Sequence, residues 1–140
     1  MKKSKNNITF KKRYLGILFL VIVQLVVGVT HLFFGLALIS DIFSFISNSS
    51  FQTIYAVYTL VYGSLTTFFT YLIWKGKRLG WIGSVAISLF VIGVDTLAVF
   101  DLSNILSIPA PKFAAIGEIP FSTLVLAYLL QHHVRSKYNI

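Results

Sequence analysis

The sequence predicts an all-α membrane protein, a bundle of four transmembrane helices that forms one domain over residues 1–140. The first observation is composition: hydrophobic residues make up 56% of the chain and charged residues 11%, whereas about a quarter of a soluble domain is charged. The second is clustering, because most apolar residues fall into four long runs. A chain with so few charged groups would not cover a globule in water, so lipid is the expected solvent for most of it.

The four apolar runs are the expected spans, since an α-helix needs about 20 residues to cross the hydrocarbon core. They are too long for the strands of a membrane barrel and lack the alternation of such strands. The first run follows a basic segment, residues 1–13, as in a signal peptide, but its length predicts an anchor that is not cleaved. The predicted spans are residues 14–39, 54–74, 79–100 and 113–130.

The basic residues predict the orientation of the bundle in the cell membrane. With the N-terminus inside, eleven of the twelve lysines and arginines lie on the inner side and Lys112 alone lies outside. Cytoplasmic loops carry such an excess, so both termini are expected to be cytoplasmic. Basic clusters beside spans also bind anionic head groups, which makes the inner leaflet the expected partner and argues against nucleic acid. The predicted membrane-surface residues are Lys11, Lys12, Arg13, Lys75, Lys77 and Arg78.

Two outer connections are expected to be interfacial segments rather than plain loops. Residues 41–52 and 101–112 each place several apolar side chains at helical spacing. This pattern is typical of short amphipathic helices that lie on a leaflet or cover a bundle. The first segment also contains Asn48-Ser49-Ser50, an acceptor pattern for N-glycosylation.

Small and polar residues recur at helical spacing along each predicted span. Such residues let helix backbones approach closely in lipid, and hydroxyl groups hydrogen-bond across the contact. These faces are therefore expected to form the interior of the bundle, with the lining of a cavity as the alternative. They comprise Gln24, Gly28, His31 and Gly35; Thr59, Gly63, Thr66 and Thr70; Gly80, Ser84, Ser88 and Asp95; and Glu118 with Ser122.

Three ionisable residues interrupt the spans, and all three are expected in the outer half of the bilayer. At a rise of ~1.5 Å per residue, His31, Asp95 and Glu118 lie within about 13 Å of the outer ends of their helices. Tyr62 reaches a similar depth and completes the predicted buried polar cluster. A carboxyl group at the membrane centre costs about 2.5–3.5 kcal/mol on insertion scales, so each carboxyl group needs a partner or a purpose.

Three interpretations of the cluster stay open. In the first, either carboxyl pairs with His31 or stays protonated and bonds to a tyrosine or threonine. Pro120 is expected to kink or restart the helix there, which would place Glu118 beside the positive end of a helix dipole. In the second, the carboxyls carry protons or a cation during transport. In the third, His31, Asp95 and Glu118 bind zinc, iron or manganese, although no local ligand motif supports a metal site.

Catalysis finds no support in the sequence. The chain has no cysteine, which excludes thiolate chemistry and Cys-ligated metals. It contains neither a nucleophile motif nor a Gly-rich phosphate loop. We therefore expect no catalytic residue and no cofactor.

One segment resembles known proteins. Tyr71–Trp81, read as Y-L-I-W-K-G-K-R-L-G-W, resembles a turn found in many small, uncharacterised four-helix membrane proteins of prokaryotes, and G-E-I-P at Gly117–Pro120 resembles archaeal sequences. The resemblance covers the second to fourth spans. It implies the four-helix fold and no activity.

Two classes of function fit these observations. The lack of a self-sufficient active site and the amphipathic outer segments favour an accessory subunit of a larger membrane complex, for example a respiratory oxidase or a copper membrane monooxygenase such as ammonia monooxygenase. Other membrane subunits would then be its partners. The alternative is a small proton- or cation-coupled transporter or channel that uses Asp95 and Glu118. A third possibility is a membrane-organising protein that acts through its basic inner face.

Overall fold

The computed structural model is helical over most of the residues that it describes, which are 3–44, 50–100 and 112–140, with side chains described for 15–40, 53–100 and 112–140. Four helices in it are long and apolar enough to cross a membrane, which confirms the all-α class and the four spans. They are α1 (Lys3–Ser44), α2 (Ser50–Trp74), α3 (Arg78–Val99) and α4 (Lys112–Leu129), followed by a short helix α5 (His132–Arg135) and a 3-10 turn (Ser136–Tyr138).

The boundaries of the apolar spans agree with the predicted ones to within one residue. The observed spans are Leu15–Ser40, Thr53–Trp74, Arg78–Val99 and Lys112–Leu129. Helix α1 begins well before its span, at Lys3, so the basic N-terminal segment continues the same helix.

The two predicted interfacial segments fall largely where the structure gives no description. Residues 41–44 belong to α1 and residues 50–52 to α2, while residues 45–49, with the acceptor Asn48, lie outside the described residues. The second segment lies outside them from residue 101 to residue 111. Both amphipathic segments therefore stay predictions.

Consecutive helices pack as antiparallel neighbours, and side chains of α1 and α4 close the bundle. Helices α1 and α2 approach closely at Gly28 and Gly63, where a Cβ atom built on Gly63 would lie 2.8 Å from the Gly28 carbonyl oxygen. Helices α3 and α4 are joined by Trp81, whose Nε1 donates a hydrogen bond to the carbonyl oxygen of Leu129 over 2.8 Å. Close packing at small residues is the usual basis of helix association in lipid.

The turn between α2 and α3 is a glycine-terminated helix end. Gly76 has a φ of +68°, a left-handed conformation that only glycine adopts without steric cost. The amide of Gly76 donates to the carbonyl of Ile73 and that of Lys77 to the carbonyl of Leu72, both over 2.9 Å. This pair of bonds satisfies the last carbonyls of α2 and reverses the chain.

The apolar core lies at the end of the bundle that holds this turn, called here the turn end. The C-terminal segment folds back onto it: Val134 is fully buried and Tyr138 is 2% exposed. The hydroxyl group of Tyr138 donates to the carbonyl oxygen of Ile73 over 3.2 Å, and burial raises the pKa of Tyr138 to about 12, so the hydroxyl keeps its proton at neutral pH. The core comprises Ile17, Leu20, Val21, Ile73, Trp81, Val125, Leu129, Val134 and Tyr138.

Pro120 does not restart helix α4, which continues through it from Lys112 to Leu129. The expectation that Glu118 lies at a new helix start is therefore wrong. A proline inside a helix removes one backbone donor, but membrane helices tolerate it where neighbouring groups satisfy the freed carbonyl. Glu118 consequently gains no stabilisation from a local helix N-terminus.

Candidate functional site

His31 of α1 and Glu118 of α4 form a pair at the end of the bundle opposite the turn end, called here the cluster end. Nε2 of His31 lies 3.3 Å from Oε1 of Glu118. Nδ1 of the same ring lies 2.8 Å from the carbonyl oxygen of Val27, which accepts only, so Nδ1 carries a hydrogen. Nε2 and Oε1 therefore share one proton: either a neutral imidazole accepts it from the carboxylic acid, or an imidazolium donates it to the carboxylate.

Two tyrosines of α2 form the wall behind this pair. The Tyr62 ring stands edge-on to the His31 ring with 4.6 Å between their centroids, and it is 7% exposed. Tyr58 stacks parallel to Tyr62 at 6.4 Å. The hydroxyl group of Tyr58 is buried and has no hydrogen-bond partner among the described residues. The Tyr62 ring therefore packs against the imidazole, and Tyr58 packs against Tyr62 with its phenol unpaired among the described residues.

Asp95 of α3 is the most deeply buried ionisable residue of the cluster, at 2% exposure. Its Oδ2 has no hydrogen-bond partner in the described part of the chain, although the charges of Glu118 and His31 act on it. An unpaired buried polar group costs about 1–3 kcal/mol. The structure thus brings His31, Tyr62 and Glu118 into contact and places Asp95 within electrostatic range of them.

The three predicted metal ligands do not assemble into a ligand set. Within residues 3–44, 50–100 and 112–140, no group of three or more histidines and carboxylates is arranged to hold a metal ion. His31 and Glu118 meet each other, but no hydrogen bond or ion pair in the described part of the chain joins Asp95 to either of them. The geometry therefore gives no support to the metal interpretation.

A cleft of about 280 Å³ opens beside the His31–Glu118 pair. Both members of the pair reach it, because their side chains are 20% and 25% exposed. Aromatic rings from three helices form its walls, and its lining residues are Thr30, His31, Phe34, Tyr55, Phe113, Ala114 and Glu118. The pair is therefore accessible from outside the bundle, whereas Asp95 behind it is not.

Below the cluster the bundle interior stays polar and then becomes apolar towards the turn end. The predicted small and polar faces point inward as expected: apart from the half-buried His31 and Glu118, every residue of the four stripes is buried. Oε1 of Gln24 and Oγ1 of Thr66 are buried there without a described partner. The apolar core around Trp81 and Ile73 follows. The site therefore has one open end and one closed end.

The predicted membrane-surface residues lie near the turn end. Lys75, Lys77 and Arg78 are exposed, and Nζ of Lys75 lies 5.5 Å from the centre of the Tyr71 ring. Lys11, Lys12 and Arg13 belong to the N-terminal part of α1. Trp74 is 59% exposed, whereas Trp81 is 9% exposed and belongs to the core.

Several residues of the site were not singled out in the sequence. The cleft aromatics Phe34, Tyr55 and Phe113 were missed because aromatic residues are frequent in every span. A usable signal exists in α2, where Tyr55, Tyr58 and Tyr62 follow the i, i+3, i+7 spacing of one helix face.

Comparison of the chain with models of known protein families, with curated proteins and with solved structures gives no match.

Proposed function

We propose that the chain is a multi-pass protein of the cell membrane with both termini in the cytoplasm, and that it works as a small proton- or cation-coupled transporter. The basic residues support the orientation, because an inner turn end places eleven of the twelve lysines and arginines on the cytoplasmic side. The cluster end, with its cleft, then faces outward. An outward-facing ionisable site closed at its inner end is the arrangement that a transporter needs in one of its states.

The orientation can be tested with single cysteines, since the chain has none of its own. Lys77→Cys and Ser136→Cys are expected to resist a membrane-impermeant thiol reagent in intact cells and to react after permeabilisation, whereas Lys112→Cys reacts in both. Residue 77 and residue 136 are both exposed, so protection at these positions reports the membrane side and not burial. Labelling of residue 77 in intact cells would reverse the orientation.

One observation carries the transport proposal: a buried carboxyl with an unpaired oxygen, Asp95, lies behind a pair that shares a proton and reaches a cleft. Each buried atom without a partner costs about 1–3 kcal/mol out of a total stability of roughly 5–15 kcal/mol, and among the described atoms of this kind Oδ2 of Asp95 is the one that belongs to a carboxyl group. The unpaired atoms of Asp95 and Tyr58 together lower the stability of the fold by a substantial part of that total. Ionisable groups kept inside a membrane at such cost are typical of proton and ion pathways.

The site can exchange charge without changing its total charge. When Glu118 gives up the proton that it shares with His31, a cation beside the carboxylate restores the balance. Asp95 offers a second carboxyl within electrostatic range. Exchange of a proton for a cation thus avoids placing a net charge in the low-dielectric interior, where an uncompensated charge is costly.

The test is reconstitution of the purified protein into liposomes with a pH-sensitive dye inside. An imposed gradient of sodium, potassium or tetraethylammonium is expected to drive proton movement faster than in protein-free liposomes. Equal rates with each of these cations and with no cation gradient would reject transport of all three.

A second candidate function, the accessory subunit, is favoured by two exposed glycines. Gly93 of α3 and Gly117 of α4 have open space where a side chain would point, and exposed small residues allow another helix to approach closely. A pulldown from native membranes is expected to retain larger subunits, with respiratory oxidases and copper monooxygenases as the first to look for. Gly93→Leu and Gly117→Leu would then release them, while a chain that purifies alone argues against this candidate.

A further inference from the structure

We infer that the cleft binds an organic ammonium ion, which would be the cation exchanged for the proton of the His31–Glu118 pair. This inference deepens the proposed transport function and rests on it. The cleft combines the two features that such a cation requires: a carboxylate at the floor and aromatic walls on several sides. A volume of about 280 Å³ lies at the lower end of the range of small-molecule pockets.

The aromatic walls distinguish an organic cation from a metal ion. Phe34 of α1, Tyr55 of α2 and Phe113 of α4 bring three rings to one cleft, and the rings of Phe34 and Tyr55 meet edge to face at 6.3 Å. Ring faces attract alkylammonium groups, and cages of such rings recognise quaternary ammonium ligands. A sodium or potassium ion instead prefers several oxygen ligands, and among the described residues the polar lining of the cleft comprises only Thr30, His31, Tyr55 and Glu118.

The carboxylate provides the charge for recognition. Oε1 of Glu118 faces His31, and an ammonium that enters the cleft takes the place of the shared proton, which leaves towards the water at the cluster end. One positive charge enters and one leaves, so the total charge of the site is conserved. Among the described residues, the titratable groups that act on Glu118 or face it are His31 from α1, Tyr55, Tyr58 and Tyr62 from α2, and Asp95 from α3. Lys112 is the other charged residue of its own helix.

The test is equilibrium binding of radiolabelled tetraethylammonium to the purified protein in detergent, with proton release recorded in weakly buffered solution. Wild-type protein is expected to bind saturably and to release protons on binding. Replacing one ring, as in Phe34→Leu, Tyr55→Leu or Phe113→Leu, is expected to weaken binding roughly 2- to 30-fold, which is the range that cation–π energies give.

The matched control is Phe33→Leu, because Phe33 is 71% exposed on the same helix and does not line the cleft. Its binding should equal that of the wild type. Unchanged affinity in all three ring variants, with elution profiles that show folded protein, would overturn aromatic recognition. Wild-type protein that moves protons with inorganic cations but does not bind tetraethylammonium would overturn this inference and leave the transport proposal standing. If the wild-type protein neither moves protons nor binds tetraethylammonium, both this inference and the transport proposal are overturned.

Discussion

The double variant Glu118→Gln and Asp95→Asn is expected to reduce proton movement in liposomes to the rate of protein-free vesicles. The amides keep the size of both side chains but cannot release a proton at accessible pH. His31 would then have no carboxyl with which to share its proton, and the second carboxyl behind the cleft would be lost as well. The measurement is the initial rate of dye response under a cation gradient.

The single variants distinguish the contributions of the two carboxyl groups to proton exchange. Glu118→Gln breaks the shared-proton pair at the cleft and is expected to abolish exchange alone, because Glu118 is the accessible carboxyl. Asp95→Asn removes a group that has no direct bond to the pair, so partial activity is expected. His31→Gln should resemble Glu118→Gln, with His132→Gln as its control, since His132 is exposed on α5.

Asp101→Asn is the control for the carboxyl variants, because it makes the same chemical change outside the four spans that the sequence predicts. Wild-type flux is expected from it. The double variant should elute as a folded species, since neutral amides reduce the cost of burial. Full flux in a folded double variant would show that neither carboxyl takes part in transport.

The spans were predictable because length and hydropathy decide them. The bilayer requires about 20 apolar residues per helix, and charged residues such as Lys112 and Arg78 mark where that requirement ends. Each predicted end, such as Trp74 at the end of α2, therefore lies within one residue of the observed end. The position of a span depends on the residues within it, which is why a single sequence is enough to predict it.

The cluster was predictable in part, for a related reason. Charged groups inside a span are costly, so His31, Asp95 and Glu118 stand out in the sequence, and helix rise gives their depth. Their mutual geometry depends on how four helices rotate about their axes, which the sequence specifies only through long-range packing. The contact between His31 and Glu118, with Asp95 apart from it, therefore could not be predicted from the sequence.

The C-terminal segment was not predicted at all. Its four-residue helix α5 is too short to show hydrophobic periodicity, and its basic residues entered the prediction only as part of the positive inner side. Val134 and Tyr138 are nevertheless buried against Ile73. Their spacing of four residues was the available signal, but a pair of apolar residues becomes informative only once the turn end gives them a surface to cover.

Substitution of Gly63 is expected to destabilise the contact between α1 and α2 strongly. A Cβ atom there would lie 2.8 Å from the carbonyl oxygen of Gly28, 2.9 Å from the backbone nitrogen of Leu32 and 3.1 Å from Cβ of His31. The first two are backbone atoms, so α1 has to move away because no side chain can rotate to make room. Gly63→Ala is expected to destabilise the protein by about 1–3 kcal/mol, and Gly63→Leu to prevent the native α1–α2 contact.

The effect should reach the site as well as the fold, since His31 belongs to the same contact. A displaced α1 would separate the imidazole ring from Tyr62 and from Glu118, so that Gly63→Ala loses proton exchange even where it remains folded.

Gly93→Ala and Gly117→Ala are the matched controls, because nothing lies within 4 Å of a Cβ atom at either position. Alanine favours a helix over glycine by about 1 kcal/mol, so these controls should be as stable as the wild type or slightly more stable. The stability of all four variants is measured as the midpoint of thermal unfolding, with size-exclusion chromatography in detergent as the readout of folded protein. If Gly63→Leu unfolds at the wild-type midpoint, α1 and α2 do not pack through Gly28 and Gly63, and the placement of His31 against Tyr62 loses its support.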